Sequence, residues 1–306
     1  MGMADRTAPD IEEMRGYRQR FSNWGRWGAD DQRGTVNHIT PDVRTAAAAL
    51  VREGRTVSLS HPLAKRPGPR NLNPVQHHML STGPVFSGDY IGIAYHGLVN
   101  THLDALCHVF AEDGRLYNGF PASDVTAQGA RSDSIDAYRE GIVTRGVLYD
   151  IPRLRGVEYL DPGEPVHSWE LADAARAQGI EPRAGDAVIV RSGLAPFYRD
   201  HQEAHGPVPR PGVHGSVVEF LYETSAALMS WDALDAAAPG WATNEWMLPV
   251  HQICVPYLGM PLLDNASLEP LATTCAELGR WEFCLVVAPL VLEQGTGSPV
   301  NPIAMF

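Results

Sequence analysis

The spacing of apolar positions, and the residues at the ends of each apolar stretch, predict four helices. Thr40-Pro41-Asp42 places a hydroxyl cap, a proline and an acid at a helix start, and this helix is predicted to run through Ala46–Val51 and end at Gly54. Ser168–Gln178 has a similar pattern and is followed by a glycine that suits a helix end. The other two predicted helices begin at the capping box Ser216-Val-Val-Glu219 and cover Asn265–Leu278.

Runs rich in β-branched and other apolar residues predict strands between these helices. The predicted strands are Arg55–Leu59, Gly146–Ile151, Asp186–Arg191, Ala227–Trp231 and Trp281–Leu292. Strands and helices are mixed along the chain without a strict strand–helix–strand rhythm. The pattern therefore predicts an α/β or mixed α+β fold with several central strands in one domain.

The composition narrows the functional classes. Of the 306 residues, 44% are hydrophobic and 20% are charged, which is typical of a soluble globular protein. A formal net charge of −12 argues against nucleic acid and against an anionic membrane surface as partners, because both would repel the chain. No apolar run is long enough to span a membrane, and the first residues have no signal-peptide core. The four cysteines form no Cys-x-x-Cys pair, so we expect reduced thiols in a cytoplasmic protein.

The segment from Tyr95 to His108 contains three histidines and one carboxylate. If His102-x-Asp104 lies on a strand, its alternate side chains point the same way, and both groups can bind one ion. His96 and His108 are near enough in sequence to approach that ion from either side. Imidazole together with carboxylate suits zinc, manganese or iron(II) better than calcium or magnesium. The segment therefore predicts a divalent metal site.

The same segment resembles the metal-dependent cyclase-like hydrolase family, which includes bacterial kynurenine formamidases and isatin hydrolases. The family motif is His-x-Gly-Thr-His-x-Asp-x-Pro-x-His, and four residues match it in register: Thr101, His102, Asp104 and His108. The resemblance covers roughly residues 55 to 290. Its further parts are the strand Arg55–Leu59 with the following Ser-His-Pro-Leu, the segment Asp186–Gly193, and the later residues His251, Gly259 and Leu263-Asp264-Asn265.

The resemblance implies a fold and an assembly. It implies a swivelling β/β/α cyclase-like domain over residues 55–306, with a central mixed sheet or small barrel flanked by helices. Residues 1–54 would form an N-terminal arm and helix that pack on this core. The opening Asn23-Trp-Gly-Arg-Trp-Gly28 resembles a larger-subunit branch of the family, and a homo-oligomer, dimer or tetramer, is expected, with this aromatic arm as an exchanged element.

The resemblance also implies a chemistry: metal-dependent hydrolysis of a small amide, cyclic amide or lactone. His102 and Asp104 would bind zinc or manganese, His96 would be a third ligand, and the ion would activate water. His108 would act as general base and then as general acid. His251 and Asp264 would hold a second ion or orient the first ligands. Residues that would line the substrate pocket are Trp24, Trp27, His77 and His78.

The chain departs from the family motif at several positions. The first motif histidine aligns with Leu98, which cannot bind a metal, and His96 lies two residues upstream, so a two-residue insertion would restore the ligand. Asn100 replaces the motif glycine and Leu106 the motif proline. Asp264 stands where glutamate is more usual, and its shorter side chain reaches less far, which argues against a second metal position.

Other functions remain open from the sequence. His102, Asp104 and the distant His251 imitate the two-histidine, one-carboxylate triad of an iron(II) oxygenase, although that triad normally sits in an all-β jelly roll. A further hypothesis is a non-catalytic relative that lost its first metal ligand at position 98, where this chain has leucine. A cyclase or dehydratase is another, suggested by the family name. The histidines can also simply pack or bond to backbone in turns.

Overall fold

The computed structural model describes residues 6–201, 211–236 and 245–306. The α-helices in these ranges are α1 (Ile11–Arg20), α2 (Pro41–Ala48), α3 (Ile151–Arg155), α4 (Ser168–Gln178), α5 (Leu194–Asp200), α6 (Val217–Glu223), α7 (Pro249–Ile253) and α8 (Glu269–Leu278). A π-helical turn, Cys254–Leu258, follows α7 directly. In this part of the chain no helix is long and apolar enough to cross a membrane.

Fifteen strands are found in the same ranges. They are β1 (Thr56–Ser58), β2 (Gln76–Thr82), β3 (Ser87–Gly92), β4 (His102–Asp104), β5 (Val125–Thr126), β6 (Gly129–Ala130), β7 (Ile142–Asp150), β8 (Ala187–Arg191), β9 (Gly212–Val213), β10 (Leu228–Trp231), β11 (Leu234–Asp235), β12 (Leu262–Asp264), β13 (Glu282–Val287), β14 (Gly297–Pro299) and β15 (Ile303–Met305).

Nine of the strands form one mixed sheet, in the order β1-β15-β13-β7-β8-β10-β12-β4-β14. The neighbours β7, β8, β10 and β12 run parallel, and the strands on either side of this group pair antiparallel. The parallel strands read as continuous apolar runs because both of their faces are covered. The predicted mixed α+β fold with a central mixed sheet flanked by helices is confirmed.

The predicted elements agree with the structure where local signals are strong. The Thr40 hydroxyl accepts a hydrogen bond from the Val43 amide and caps α2 as expected. Helix α4 has the predicted bounds and ends at Gly179, whose φ of 66° is the left-handed conformation that glycine adopts easily. Strands β1, β7, β8 and β10 lie within a few residues of their predicted positions.

Three predicted elements differ in detail. Ser216 makes no capping bond to α6, because its hydroxyl instead accepts a hydrogen bond from the Ser168 amide. Glu219, the other residue of the predicted capping box, accepts hydrogen bonds from Tyr17 and Ser168. Helix α8 begins at Glu269, since Asn265 has a φ of 52° that ends strand β12 in a turn. Strand β13 ends at Val287, shortly before a proline that cannot continue the ladder.

The hydrophobic core lies on both sides of the large sheet and includes side chains from the first fifty residues. Met14 and Tyr17 of α1 are buried in the same cluster as Leu148 of β7 and Leu263 of β12. The predicted boundary near residue 55, between an N-terminal arm and the cyclase-like domain, stays a prediction. The four cysteines are all buried and unpaired, as expected for reduced thiols.

Strands β2 and β3 form a hairpin that stands apart from the large sheet. They pair only with each other among the described strands, with an irregularity between Met79 and Ser81. Every residue of both strands is exposed or half-exposed. The chain leaves β3 at Gly92 and reaches His96 four residues later, so the hairpin leads directly into the histidine segment.

Candidate metal centre and active site

The short strand β4 places His102 and Asp104 on one face of the large sheet. Both residues are buried, and the Nε2 atom of His102 lies 3.4 Å from Oδ1 of Asp104. The alternation of side chains along a strand gives the two groups this common direction, with Leu103 packed into the core on the other face. The predicted orientation of the His-x-Asp pair is therefore what the structure shows.

Strand β12 brings a second carboxylate to the same place. Asp264 is the direct antiparallel partner of His102, so their side chains share a face of the sheet, and Oδ2 of Asp264 lies 4.0 Å from Nε2 of His102. The other oxygen, Oδ1, accepts a hydrogen bond of 2.7 Å from the indole N–H of Trp231. The indole thus fixes the carboxylate with Oδ2 directed toward the histidines.

Helix α7 supplies His251, whose two ring nitrogens face two different carboxylates. Its Nδ1 donates to Oδ2 of Asp235 at 2.6 Å, and its Nε2 lies 3.2 Å from Oδ2 of Asp264 and 3.7 Å from Oδ2 of Asp104. Burial opposes a charge on this imidazole, but Asp264 and Asp235 more than offset it and raise the pKa of His251 well above its ordinary value. The pocket between these carboxylates thus favours a positive charge.

His96 reaches the cluster from the loop after the hairpin. Its Nδ1 lies 2.9 Å from Oδ1 of Asp104, and its Nε2 lies 3.0 Å from the hydroxyl of Thr296. Gly297 leaves room for the ring, because a Cβ at this position would stand 2.9 Å from Cε1 of His96 and 2.6 Å from the backbone oxygen of Leu103. The His108 ring stacks on His96 with centroids 3.7 Å apart.

The carboxylate of Asp104 is the centre of this arrangement. Ligand atoms of His96, His102 and Asp104 lie within 4.8 Å of one another, and so do those of Asp104, His251 and Asp264. Both oxygens of Asp104 are buried and accept no hydrogen bond, and Nδ1 of His96 is also buried without one. A buried carboxylate that lacks donors is costly unless a cation binds it. The donor set of imidazole nitrogens and carboxylate oxygens fits zinc or manganese.

The protonation states of His102 and Asp104 are those that a metal cation requires of its ligands. Nδ1 of His102 donates to the backbone oxygen of Asn100 at 2.8 Å, which leaves the Nε2 lone pair facing Asp104. Burial by itself would raise the pKa of Asp104, but the imidazoles of His96, His102, His108 and His251 outweigh it and hold that pKa below its ordinary value. Asp104 is therefore ionised at neutral pH.

Leu98, which aligns with the family's first histidine, lies beside the cluster and lines two clefts. One cleft has a volume of about 470 Å³, and its lining includes His61, Arg70, Leu194, Tyr198 and Asn265. The other has a volume of about 290 Å³, and its lining includes His96, Arg70 and the loop from Gly97 to Asn100. The side-chain amide of Asn265 holds this loop by donating to the backbone oxygens of Gly97 and Asn100.

Four residues predicted to line the substrate pocket have other contacts in the structure. Trp24 donates its indole N–H to Pro256 and stacks on Tyr257, and Trp27 contacts His38 edge-on. His77 and His78 lie on the hairpin, where His77 pairs with Asp89 and His78 stacks on Tyr90. None of the four lines either cleft beside Leu98. Trp24 and Trp27 therefore pack against other residues of the same chain, and His77 and His78 make their contacts within the hairpin.

Sequence reasoning missed the residues that support the cluster from outside. Asp235, Trp231, Thr296 and Gly297 have no motif around them, and each acts through a contact made only in the folded chain. Asp235 had one available signal, because it lies four residues after the predicted buried strand Ala227–Trp231, and ligands often bind beyond the carboxyl ends of such strands. Nothing local distinguished the other three.

Comparison with known proteins gives a family and several structural relatives. Residues 57–238 match the family described as "Putative cyclase". The crystal structure of a novel cyclase superposes with a TM-score of 0.85 at 32% sequence identity, covering 94% of this chain and 99% of that one. No protein of the curated set matches the chain.

Two more distant structures share the fold. Isatin hydrolase A from Labrenzia aggregata, bound to benzyl benzoate, gives a TM-score of 0.60 at 21% identity over 84% of this chain and 94% of that one. Isatin hydrolase A from Ralstonia solanacearum gives a TM-score of 0.58 at 21% identity over 87% of this chain and 97% of that one. The family match and the 32% identical structure together carry the assignment, and this chain belongs to the cyclase family.

Proposed function

We propose that this chain is a metal-dependent hydrolase of a small amide, cyclic amide or lactone. The observation that carries the proposal is the carboxylate of Asp104, which is fully buried, accepts no hydrogen bond and has an imidazole nitrogen within 3.7 Å of each of its oxygens. Such an arrangement is expensive in a folded protein without a cation. A buried cation site that adjoins two clefts is the arrangement that a hydrolase of this type needs.

His96, His102 and Asp104 would hold the metal, with His251 and Asp264 available for a second ion or for orienting the first ligands. Bound there, zinc or manganese supplies an activated water and a positive charge beside the scissile carbonyl. The outer contacts hold the ligands in place: the backbone oxygen of Asn100 orients His102, and the carboxylate of Asp235 orients His251.

His108 is the proposed general base and acid. Burial is the main reason that its pKa is lowered to about 4, so the imidazole is neutral at pH 7 and can accept a proton. Its ring stacks on His96, which places it beside the proposed ligands without taking a ligand position itself. After accepting a proton from water, the same imidazole can protonate the leaving nitrogen or oxygen.

The clefts on either side of Leu98 are the proposed substrate region. Both are lined in part by apolar residues, which suits a small organic substrate, and Arg70 lines both. Hydrolysis of an amide or a lactone creates a carboxylate, and the Arg70 guanidinium, which lies 3.5 Å from the centre of the Tyr198 ring, is a cation available to that product. The names of the isatin hydrolases support a cyclic amide within this range.

Two alternative functions have less support. The metal triad of iron(II) oxygenases normally occurs in an all-β jelly roll, whereas this chain has a mixed sheet flanked by helices. The hypothesis of a non-catalytic relative that has lost its metal site is less consistent with the position of His96. Its Nδ1 lies 2.9 Å from Oδ1 of Asp104, although leucine occupies position 98. A cytoplasmic location and a homo-oligomeric state remain part of the proposal.

The test begins with protein purified without added metal. We expect zinc or manganese at near-stoichiometric content by elemental analysis, and hydrolysis of some members of a panel of lactones, imides and N-formyl arylamines. Chelation should abolish the activity and added metal should restore it. His102→Ala should lose both metal and activity. The matched control is His167→Asn, which replaces the histidine at the N-cap of α4 with a residue that is favoured at this position. Full activity in metal-free protein would refute the proposal.

A further inference from the structure

A second buried carboxylate, that of Asp133, has no hydrogen-bond donor. Asp104 and Asp133 are the two carboxylates, among the described residues, whose oxygens are both buried without a hydrogen-bond partner. Asp133 is 0% exposed, and it belongs to neither of the ligand groups around Asp104. A buried carboxylate is unfavourable unless it is protonated or binds a cation. Asp133 therefore needs a proton or a cation of its own.

Contacts of the backbone hold Asp133 in the interior. Its N–H donates to Oε1 of Gln32 at 2.8 Å, and its carbonyl oxygen accepts from the Cys107 N–H at 3.0 Å. The hydroxyl of the neighbouring Ser132 donates to the Asp124 carboxylate at 2.6 Å, so its one hydrogen is already used. The position of Asp133 is thus fixed by contacts that bring no donor to its carboxylate.

The phenol of Tyr138 is a second polar group without a partner in the same place. Tyr138 is 2% exposed, and its hydroxyl makes no hydrogen bond. Burial, and then the charge of Asp133, raise the pKa of Tyr138 well above its ordinary value, while Arg33 has the opposite and smaller effect. Asp133 is therefore the charged residue that acts most strongly on this phenol. A buried hydroxyl oxygen and a buried carboxylate share one region of the interior, and both lack partners.

The charged groups that act on the Asp133 carboxyl are other carboxylates. Burial, followed by the charges of Asp31 and Asp124, raises the pKa of Asp133 to about 8, and no cationic side chain of the described residues lowers it. Arg131 is more than half exposed and pairs with Asp124 at 3.4 Å. The Tyr117 hydroxyl donates to Asp31 at 3.1 Å and brings no positive charge. This part of the interior has an excess of negative charge, which a cation would neutralise.

We infer that Asp133 and Tyr138 bind a calcium ion, separate from the metal proposed at Asp104. The two oxygens of Asp133 and the hydroxyl oxygen of Tyr138 would be its protein ligands, with Asp31 adding negative charge nearby. Oxygen donors without imidazole or thiolate suit calcium or magnesium, and calcium better tolerates an irregular shell. The described residues bring no third acid or histidine close enough to form a three-residue group here, so water would fill the remaining positions.

The ion would connect two parts of the chain that are distant in sequence. Asp31 and Gln32 lie in the N-terminal region, whereas Asp133 and Tyr138 lie between β6 and β7. Calcium that binds only the folded chain would stabilise this packing by mass action. Because Asp133 holds a proton at pH 7 when no cation is bound, calcium binding should release about one proton. None of this depends on the proposed function.

The main test is calorimetric titration of the metal-free full chain with calcium chloride in the presence of potassium chloride. We expect one calcium site. Asp133→Asn should weaken it by about 100-fold or more and Tyr138→Phe by about 10-fold, because the first removes a charged ligand and the second a neutral one. Asp104→Asn should leave calcium binding unchanged. The matched control is Asp113→Asn, which alters an exposed acid paired with Arg115 and should also bind calcium normally.

Two further measurements keep the test decisive if Asp133→Asn folds poorly. Titrations in buffers of different ionisation enthalpy count the protons released by the wild type, and calcium should raise its unfolding temperature but raise that of Tyr138→Phe less. Wild-type protein that binds no calcium, or binds it without releasing a proton at pH 7, would overturn the inference. Calcium binding that is lost in Asp104→Asn and kept in Asp133→Asn would also overturn it, and would assign the ion to the candidate active site.

Discussion

The imidazole rings of His96 and His108 lie parallel, with planes 1° apart and centroids separated by 3.7 Å. One ring presents Nδ1 to Asp104, whereas the other makes no such contact, so the pair separates a candidate ligand from a candidate base. The two histidines are twelve positions apart, and β4 lies between them in sequence. The turn after β4 and the loop after β3 must fold back together to produce the stack.

His96 is expected to be a metal ligand in place of the residue at 98. His96→Ala should lower metal affinity by at least the 10–100-fold typical of damage to a metal site. Adding Leu98→His to that variant should not restore binding, because Leu98 lines the clefts and His96 is the residue beside Asp104. Competition with a chromophoric chelator measures the affinities. Unchanged affinity in His96→Ala would show that this histidine is no ligand.

His108 is expected to act on the proton and not on the metal. His108→Ala should lower kcat by about 10²–10⁴-fold while metal content stays at the wild-type level. Because burial lowers the pKa of His108 to about 4, its base form persists above that pH, and its protonation should reduce activity only as the pH falls toward 4. A pH–rate profile and elemental analysis of the variant check both points. Loss of metal together with activity would instead make His108 a ligand.

Asp235 is expected to be a positioning residue for His251. Asp235→Asn removes the charge that orients the imidazole through Nδ1, and metal affinity should fall by about 10–100-fold. Trp231→Phe is a useful comparison, because it removes the indole donor to Asp264, together with part of a buried ring, and leaves the pair of Asp235 and His251 in place. Calorimetric titration with zinc or manganese gives the affinities. If Asp235→Asn lowered only the unfolding temperature, its role would be structural.

Asp133 should make the protein less stable as the pH rises. The carboxyl is buried and accepts no hydrogen bond, and burial, with help from Asp31 and Asp124, raises its pKa to about 8. The folded state therefore keeps a proton that the unfolded state loses above its ordinary pKa of 3.8. Stability contributed by this group is highest below that value and declines up to about pH 8, by at most ~1.4 kcal/mol per pH unit.

The variant Asp133→Asn tests this directly, because asparagine tolerates the φ of 58° at this position. Unfolding temperatures measured between pH 5 and pH 8, with chelator present, should decline less steeply in the variant than in the wild type. Parallel slopes would mean that Asp133 is ionised in the folded protein.

Arg145 should be important for stability. Its guanidinium donates from Nε and Nη2 to the two oxygens of Asp186, at 2.8 and 2.6 Å, and both residues are buried. Arg145→Ala leaves Asp186 without its buried partner and should cost about 3–5 kcal/mol of unfolding free energy. Breaking the exposed pair of Arg55 with Glu277 by Arg55→Ala should cost less than about 1 kcal/mol. Urea denaturation of the two variants measures the difference.

The sequence predicted those elements whose signals are local. The cap at Thr40, the glycine after α4 and the apolar run of β8 depend on neighbouring residues, and the structure has them where the sequence placed them. The predicted capping bond of Ser216 is wrong because the Ser216 hydroxyl accepts from the amide of Ser168 in α4, and Glu219 likewise finds partners in α1 and α4. Local reasoning cannot foresee such competition, since those partners are distant in sequence.

The sequence by itself determined that His102 and Asp104 would point the same way if they lay on a strand, because side-chain alternation is a property of any strand. The structure shows that they form strand β4. It also limited the composition of the site to imidazoles and carboxylates. Only the tertiary structure decided that the register of β12 against β4 places Asp264 opposite His102, that Asp235 orients His251, and that His96 lies beside Asp104. These relationships depend on chain segments that approach one another across the fold, and spacing along one segment carries no information about that approach.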